Sequence, residues 1–335
     1  MTAARIKFVL GLAVSLIALQ FLLSGVDRGG LVRAWSQLSG GGVLLAVALL
    51  AGGYALRIVR WWWMLVQFAP RLRVRDCVTP FVASIALNNV LPLRAGDAVR
   101  AFAFRRQLGL PAATVLGSVV VERLLDLAML LALLFAGAAA APQGALPGRW
   151  AHAAQGVAAG AVAVLVLLPL LGPAIAARLK KPGPDAPRWM QVVVGGAAGL
   201  LESFSVLRSP RRAAMLLPLT LAIWLLEGGV FATVAADLAS GTPVLAGWFS
   251  MATGTLATLL PSTPGYVGTF DYFAMLGLTA FGAARDVATA FALSVHAVLW
   301  APTTIVGLVL LVLHGGLGAL KSGTSNKDAA RAATP

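Results

Sequence analysis

Long apolar runs, broken by short polar and basic stretches, fill this chain almost from end to end. Six runs, at about 8–25, 43–66, 111–141, 152–176, 213–236 and 286–314, are uninterrupted. Each is long enough for a helix that crosses a bilayer, which takes about 20 residues. Two further apolar regions, 77–104 and 244–282, are broken at "LPLRAG" and "LPSTPG" into pieces of about 12–18 residues. Such pieces are short for a crossing but suit the limbs of a hairpin that enters and leaves on one side. The short alternating strands of a membrane barrel do not occur. The pattern predicts an all-α polytopic membrane protein with six full spans and two re-entrant helical hairpins. Residues 190–208, apolar but leading into a basic cluster, predict an amphipathic helix near the cytoplasmic surface. Residues 317–335 predict a disordered cytoplasmic tail. The start resembles a signal peptide, but its apolar stretch is long and lacks an A-x-A cleavage site, so an uncleaved first span is expected.

Composition agrees with the pattern. Hydrophobic residues make up 59%, charged residues 11%, and mean hydropathy is +0.87. Charge decides topology. With the N-terminus inside and both interrupted regions returning to the side they left, 21 of the 26 Lys and Arg are cytoplasmic. If each interrupted region crossed once, the seven cations of 178–212 would move outside, against the positive-inside rule. For 244–282, two short full crossings keep the same parity, so charge leaves that option open. The net charge of +14 is therefore written into loops, and no nucleic-acid partner is expected. With one cysteine, Cys77, there is no internal disulfide and no cysteine metal cluster.

The two breaks share the pattern L-P-x-x-x-G, starting at Leu91 and Leu260, 169 residues apart. Shifting the run 43–66 by 169 gives 212–235, and shifting 111–141 gives 280–310, both close to observed runs. Residues 1–145 and 150–316 then read as two halves of one transmembrane domain, each with span, span, broken hairpin, span. Three crossings in the first half make the second start on the opposite side, which is an inverted-topology repeat. Paired Gly/Pro-interrupted segments at equivalent positions point to a midplane substrate site in transporters. Pro92, Gly96, Pro261, Pro264, Gly265 and Gly268 are the expected backbone devices of the two breaks.

Charges inside apolar segments are costly and mark function or a buried pair. Asp97 and Arg100 stand at i, i+3 after the first break, with Arg94 inside it. Two guanidiniums there would suit a phosphate, alongside the N–H groups of a broken helix. Glu122, Arg123 and Asp126 lie two to three turns into a span. They read equally as a polar cavity wall or proton-coupled carboxylate, and as a structural ion pair tying the span to a hairpin. Glu227 is a lone midplane carboxylate, and Asp271 is the acid of the second hairpin, with a distant arginine as its expected partner. "RIVRWWWML" places Arg57 and Arg60 beside three tryptophans at a span end. They read as arginines snorkelling from an aromatic belt, or as a headgroup site at a cavity mouth. His152, His296 and His314 show no metal spacing, and no nucleotide loop or hydrolase elbow occurs. No metal, cofactor or enzymatic activity is expected.

The stretches "RIVRWWWML", "NNVLPLRAGDAVRAFAFRRQLGLPAATVLGSVVVERLLDLAML" and "LLPSTPGYVGTFDYFAMLGLTAFG" resemble the flippase-like transmembrane region of lysylphosphatidylglycerol synthases and its stand-alone YbhN-like relatives. The resemblance covers roughly 10–315. It rests on R-x-x-R-W, N-x-x-L-P-x-x-x-G-D-x-x-R, E-R-x-x-D and L-P-x-x-P-G-x-x-G-x-x-D. Where related sequences often end the last motif in Glu, this chain has Asp271. Full-length synthases continue into a soluble aminoacyl-transferase domain that has no counterpart here, so aminoacyl transfer is not expected. The resemblance implies a bacterial inner-membrane flippase or scramblase with both termini cytoplasmic. Its partner would be a phospholipid or polyprenyl-phosphate lipid whose headgroup rides in a polar cavity between the hairpins. Lipid-pathway enzymes are possible partners, and oligomeric state stays open. Alternatives are a secondary transporter of a small solute, or a non-transporting accessory protein of a lipid or glycan pathway.

Overall fold

The structure is a computed structural model that describes residues 3–91, 94–141, 148–178 and 187–313. Pro92 and the tail 317–335 lie outside the described residues. The described residues form helices without strands, in the order α1 (Ala3–Leu23), α2 (Arg28–Trp35), α3 (Gly40–Leu65), α4 (Val74–Val90), α5 (Ala95–Phe102), α6 (Arg105–Leu108), α7 (Ala112–Ala140), α8 (Gly148–Arg178), α9 (Arg188–Ser203), α10 (Pro210–Leu238), α11 (Val244–Ala257), α12 (Thr269–Thr279) and α13 (Arg285–Leu313). Among these, α3, α8, α10 and α13 are long and apolar enough to cross a membrane. A fifth joins them if α1 and α2, bent by 88° at their junction, count as one. The 29 residues of α7 also have the length, but they carry Glu122, Arg123 and Asp126. Apolar side chains face outward along these helices: the most apolar stretch of α8 is only 17% buried, with Val162, Val166, Leu167 and Leu170 exposed. Water would penalise that surface and lipid does not.

The helix α2 was not legible as an element. Asp27 caps it by accepting N–H bonds from Gly29 (3.1 Å) and Gly30 (2.7 Å). Those bonds, first from Gly30 and then from Gly29, hold the exposed Asp27 carboxyl below its ordinary range.

Two compact units share the chain, and neither coincides with a sequence half. The first comprises 1–56, 126–160 and 220–302, and the second 57–125, 161–219 and 303–335. The first unit holds α1, α2, α11 and α12, with parts of the long helices. Its core places Phe231 of α10 edge-on to Phe270 of α12 (6.1 Å) and Phe291 of α13 (6.1 Å). Small residues let helices approach: Gly247 of α11 lies on the Ala232 backbone, where a methyl would overlap it. The second unit holds α4, α5, α6 and α9. There Gly307 of α13 lies against Val82 and Ala86 of α4, and Ser203 of α9 donates to the Thr114 carbonyl of α7. The segment 190–208 is accordingly helix α9 followed by a 3-10 turn (Phe204–Arg208), packed on α7.

Candidate functional site

Both interrupted regions fold back as antiparallel helical hairpins. In the first, α5 returns along α4: Asn88 meets Asp97, Ser84 meets Gly96, and Phe81 meets Arg100. A methyl on Gly96 would overlap the Ser84 carbonyl oxygen, so glycine is needed for the limbs to touch. Asn88 closes the turn reciprocally. Its Nδ2 donates to Asp97 Oδ1 (3.0 Å), and its Oδ1 accepts the Asp97 N–H (3.2 Å). Asn89 donates to Thr303 and Thr304 of α13, fixing the outer face of the limb. The returning limb has only 8 residues, shorter than the sequence suggested, because the chain turns again at Ala103.

The second hairpin repeats the scheme. Gly254 lies on Ala274, Thr253 Oγ1 donates to the Phe273 carbonyl, and Phe249 meets Phe281 edge-on. Helix α1 buttresses its break: Ser15 Oγ accepts the Thr263 N–H (2.9 Å), and Gly268 sits on the Ser15 carbonyl. Pro264 opens a 3-10 turn (Pro264–Tyr266), with Gly265 (φ 71°) and Gly268 (φ 85°) in conformations that glycine favours. Pro261 is exposed ahead of it. Among the described residues, the non-glycines at positive φ are Arg94 (53°) and Tyr266 (61°), one in each break. Backbone held there clusters at functional sites.

The first hairpin carries a charge network. Arg123 of α7 reaches both oxygens of Asp97 (3.4 and 3.5 Å), and Arg100 joins Asp97 (3.5 Å) to Glu122 (3.4 Å). Arg94 also attracts Asp97. Arg100 is wholly enclosed: its guanidinium lies over the rings of Trp61 (4.7 Å) and Phe81 (4.8 Å), and its side chain is 0% exposed. Trp61 is itself held by a 3.0 Å bond from Nε1 to Ser118. The open edge belongs to Arg123 (36% exposed) and Asp97 (16%), with Arg94 half-buried beside them. Arg94, Arg100 and Arg123 thus gather around Asp97 and Glu122.

Other expected residues fall elsewhere. Arg57 and Arg60 are buried, at 8% and 0% exposure, and do not snorkel. Helix α3 runs on to Leu65, which leaves them inside the packed bundle. Asp126 is buried and accepts from Trp224 Nε1 of α10 (3.1 Å). Glu227 is half-buried on α10, one turn beyond Trp224. Among the described residues, Asp271 has no arginine partner. Its Oδ1 lies 2.7 Å from His296 Nδ1, and its Oδ2 accepts the Gly268 N–H (2.9 Å). The arginine expectation failed because α13 packs beside α12 and supplies the nearer base. His296, with Asn88 and Ser15, was missed. A single imidazole in an apolar run looks like core, and only the three-dimensional neighbour gives it a role.

The acid positions match between hairpins. Asp97 and Asp271 are each the third residue of the returning limb; Arg123 and His296 are each the twelfth of the next long helix. The paired residues are 26 and 25 apart.

An all-helical protein with outward apolar faces and enclosed charge pairs is a multi-pass membrane protein. The chain belongs to the family described as the lysylphosphatidylglycerol synthase TM region, whose sequence profile matches residues 8–307. It is also similar to a protein named Glycosyltransferase AglD from Haloferax volcanii, 27% identical over 352 residues. That match takes in 95% of this chain and 54% of the relative, so the chain spans about half the length of the curated relative it matches.

Proposed function

We propose that this protein moves a phosphate-bearing or otherwise anionic lipid between leaflets, with the headgroup engaged at the open edge of the α4–α5 hairpin and the acyl chains left in the bilayer. The observation that carries this reading is the cluster of Arg94, Arg100 and Arg123 around Asp97, on a limb too short to span. At 1.5 Å per residue, α5 is about 12 Å long and α12 about 16 Å, against a hydrocarbon core of about 30 Å. These lengths favour re-entrant hairpins over short full crossings. The matched acid and base positions support a repeat of span, span, hairpin, span, inverted by the odd number of crossings in the first half. We place the protein in the bacterial cytoplasmic membrane with six full spans and both termini cytoplasmic, acting without a cofactor and as no enzyme. The family and the glycosyltransferase-named relative both favour a membrane lipid or glycan pathway, so lipid-linked sugars belong among the cargoes tried.

The test is reconstitution into liposomes holding labelled phospholipids or polyprenyl-phosphate lipids. Protein-dependent leaflet exchange is expected, slowed in Arg94→Ala. Absence of exchange with every lipid would leave the accessory-protein reading. For topology, single cysteines in a Cys77→Ser background should label from the cytoplasmic side at 105–110 and from the outside at 283–286. The opposite result at either place defeats the hairpin arrangement.

A further inference from the structure

The α11–α12 hairpin carries a titratable version of the ion pair that is permanently charged on α4–α5. We propose that Asp271 and His296 form a proton-binding site, and that its loading controls the lipid step. The control rests on the lipid-moving reading above; the proton site does not.

Position and geometry come first. Asp271 and His296 stand at the helix positions that Asp97 and Arg123 hold in the other hairpin. His296 Nδ1 and Asp271 Oδ1 are 2.7 Å apart, a distance at which Nδ1–H donates to a carboxylate. Asp271 Oδ2 is taken by the Gly268 N–H, so the carboxylate is held at both oxygens. Arginine stays charged at every accessible pH, whereas histidine is the residue type whose charge changes around neutrality. The same place in the two hairpins therefore holds one fixed and one switchable cation.

Burial supplies the driving force. Asp271 is 1% exposed and His296 15%, so the ring is the more accessible member of the pair. A solvent proton would add to Nε2 while Nδ1–H stays on Asp271. The unloaded pair, neutral imidazole with carboxylate, carries one negative charge; the loaded pair carries none, like Arg123 with Asp97. An uncompensated charge in a poorly solvated place is costly, and the proton removes it. The same core takes in Tyr54 of α3 and the hairpin's own Tyr266 and Tyr272, and helices α10 and α7, which share that core, carry Glu227 and Asp126. Helix α11 has no titratable residue, and those of α1 are Arg5 and Lys7 near its start. Asp271 and His296 hold each other, with the Gly268 N–H on the second carboxylate oxygen.

The site is also wired to the break. Asp271 caps α12 through Gly268, whose φ of 85° and seat on the Ser15 carbonyl set where the returning limb meets α1. Losing the charge on His296 weakens its hold on Asp271, and thus the tie between that limb and α13.

The test has two arms on the full chain. Histidine-labelled protein in detergent is titrated by NMR, with the His296 signal assigned by its loss in His296→Gln. The His296 ring should gain a proton as the solution is acidified, at a midpoint that moves in Asp271→Asn. A ring that keeps one protonation state throughout overturns the proposal. In liposomes, lipid exchange should vary with pH by up to about tenfold per unit around that midpoint, as a one-proton step allows. His296→Arg and His296→Gln should both flatten the profile, one as fixed cation and the other as neutral donor. A profile that keeps its shape in either folded variant refutes control by this pair. A wild type that moves no lipid while His296 still titrates would sink the lipid reading and leave the proton site standing.

Discussion

Arg100 offers the sharpest quantitative test, because its surroundings differ on each side. Replacing it by leucine strips Glu122, itself 2% exposed, of its guanidinium. Asp97 is spared, because Arg123 remains 3.4 Å away. Breaking a buried pair from one side costs about 3–5 kcal/mol. The two ring contacts add about 0.5–2 kcal/mol each. Arg100→Leu should therefore cost about 4–9 kcal/mol, part of it returned by leucine packing between Trp61 and Phe81. Glu122→Leu should cost less, about 3 kcal/mol, since Arg100 keeps Asp97 at 3.5 Å and both rings. The double variant should be more stable than Arg100→Leu alone, because the orphaned carboxylate is gone and apolar replacement of a buried pair is often near neutral. Equilibrium unfolding in mixed micelles, read by tryptophan fluorescence, measures all four corners of the cycle. A double variant no better than Arg100→Leu, or singles that add without coupling, would refute the claim that Glu122 depends on Arg100.

Further outcomes follow from packing and caps. Gly96→Ala and Gly277→Ala each place a methyl into the opposite limb, at Ser84 and at Thr253 with Ser250, and should lower stability by about 1–3 kcal/mol or more. Gly195→Ala, with nothing within 4 Å on helix α9, should be neutral or stabilising by up to about 1 kcal/mol, and equal losses at all three sites would undo that argument. Trp224→Phe removes the bond to Asp126 and should cost about 1–3 kcal/mol, a shift in thermal midpoint that Asp126→Asn should reduce. Asp27 has a lowered folded pKa, so its support of α2 is present above the ordinary carboxylate range and is lost as pH falls through the lowered value. Amide exchange at Gly29 and Gly30 should quicken in that acidic window. In Asp27→Ala it should be fast at every pH, and pH-independent protection in the wild type would contradict the cap.

Where this chain breaks and where it runs through is written in its residue order. Apolar length located α1, α3, α7, α8, α10 and α13 to within a few residues, because a helix in lipid must satisfy its backbone internally and so leaves an unmistakable run. L-P-x-x-x-G located both turns, and charges inside apolar stretches named Asp97, Arg100, Glu122, Arg123 and Asp271 before any neighbour was known. What it left open was the pairing. Periodicity says which face of a helix a residue occupies, not which helix meets that face. Trp61 and Phe81 therefore enclose Arg100, Arg60 turns inward, and His296 finds Asp271 through contacts that exist only once α3, α4, α12 and α13 pack. Tertiary structure also shortened α5 to two turns and raised α2 from a loop, since a cap and a chain reversal depend on backbone angles that composition does not encode. Charge in a low-dielectric interior must be partnered, so sequence can say that a buried ion has a partner. Only the fold decides which residue it is.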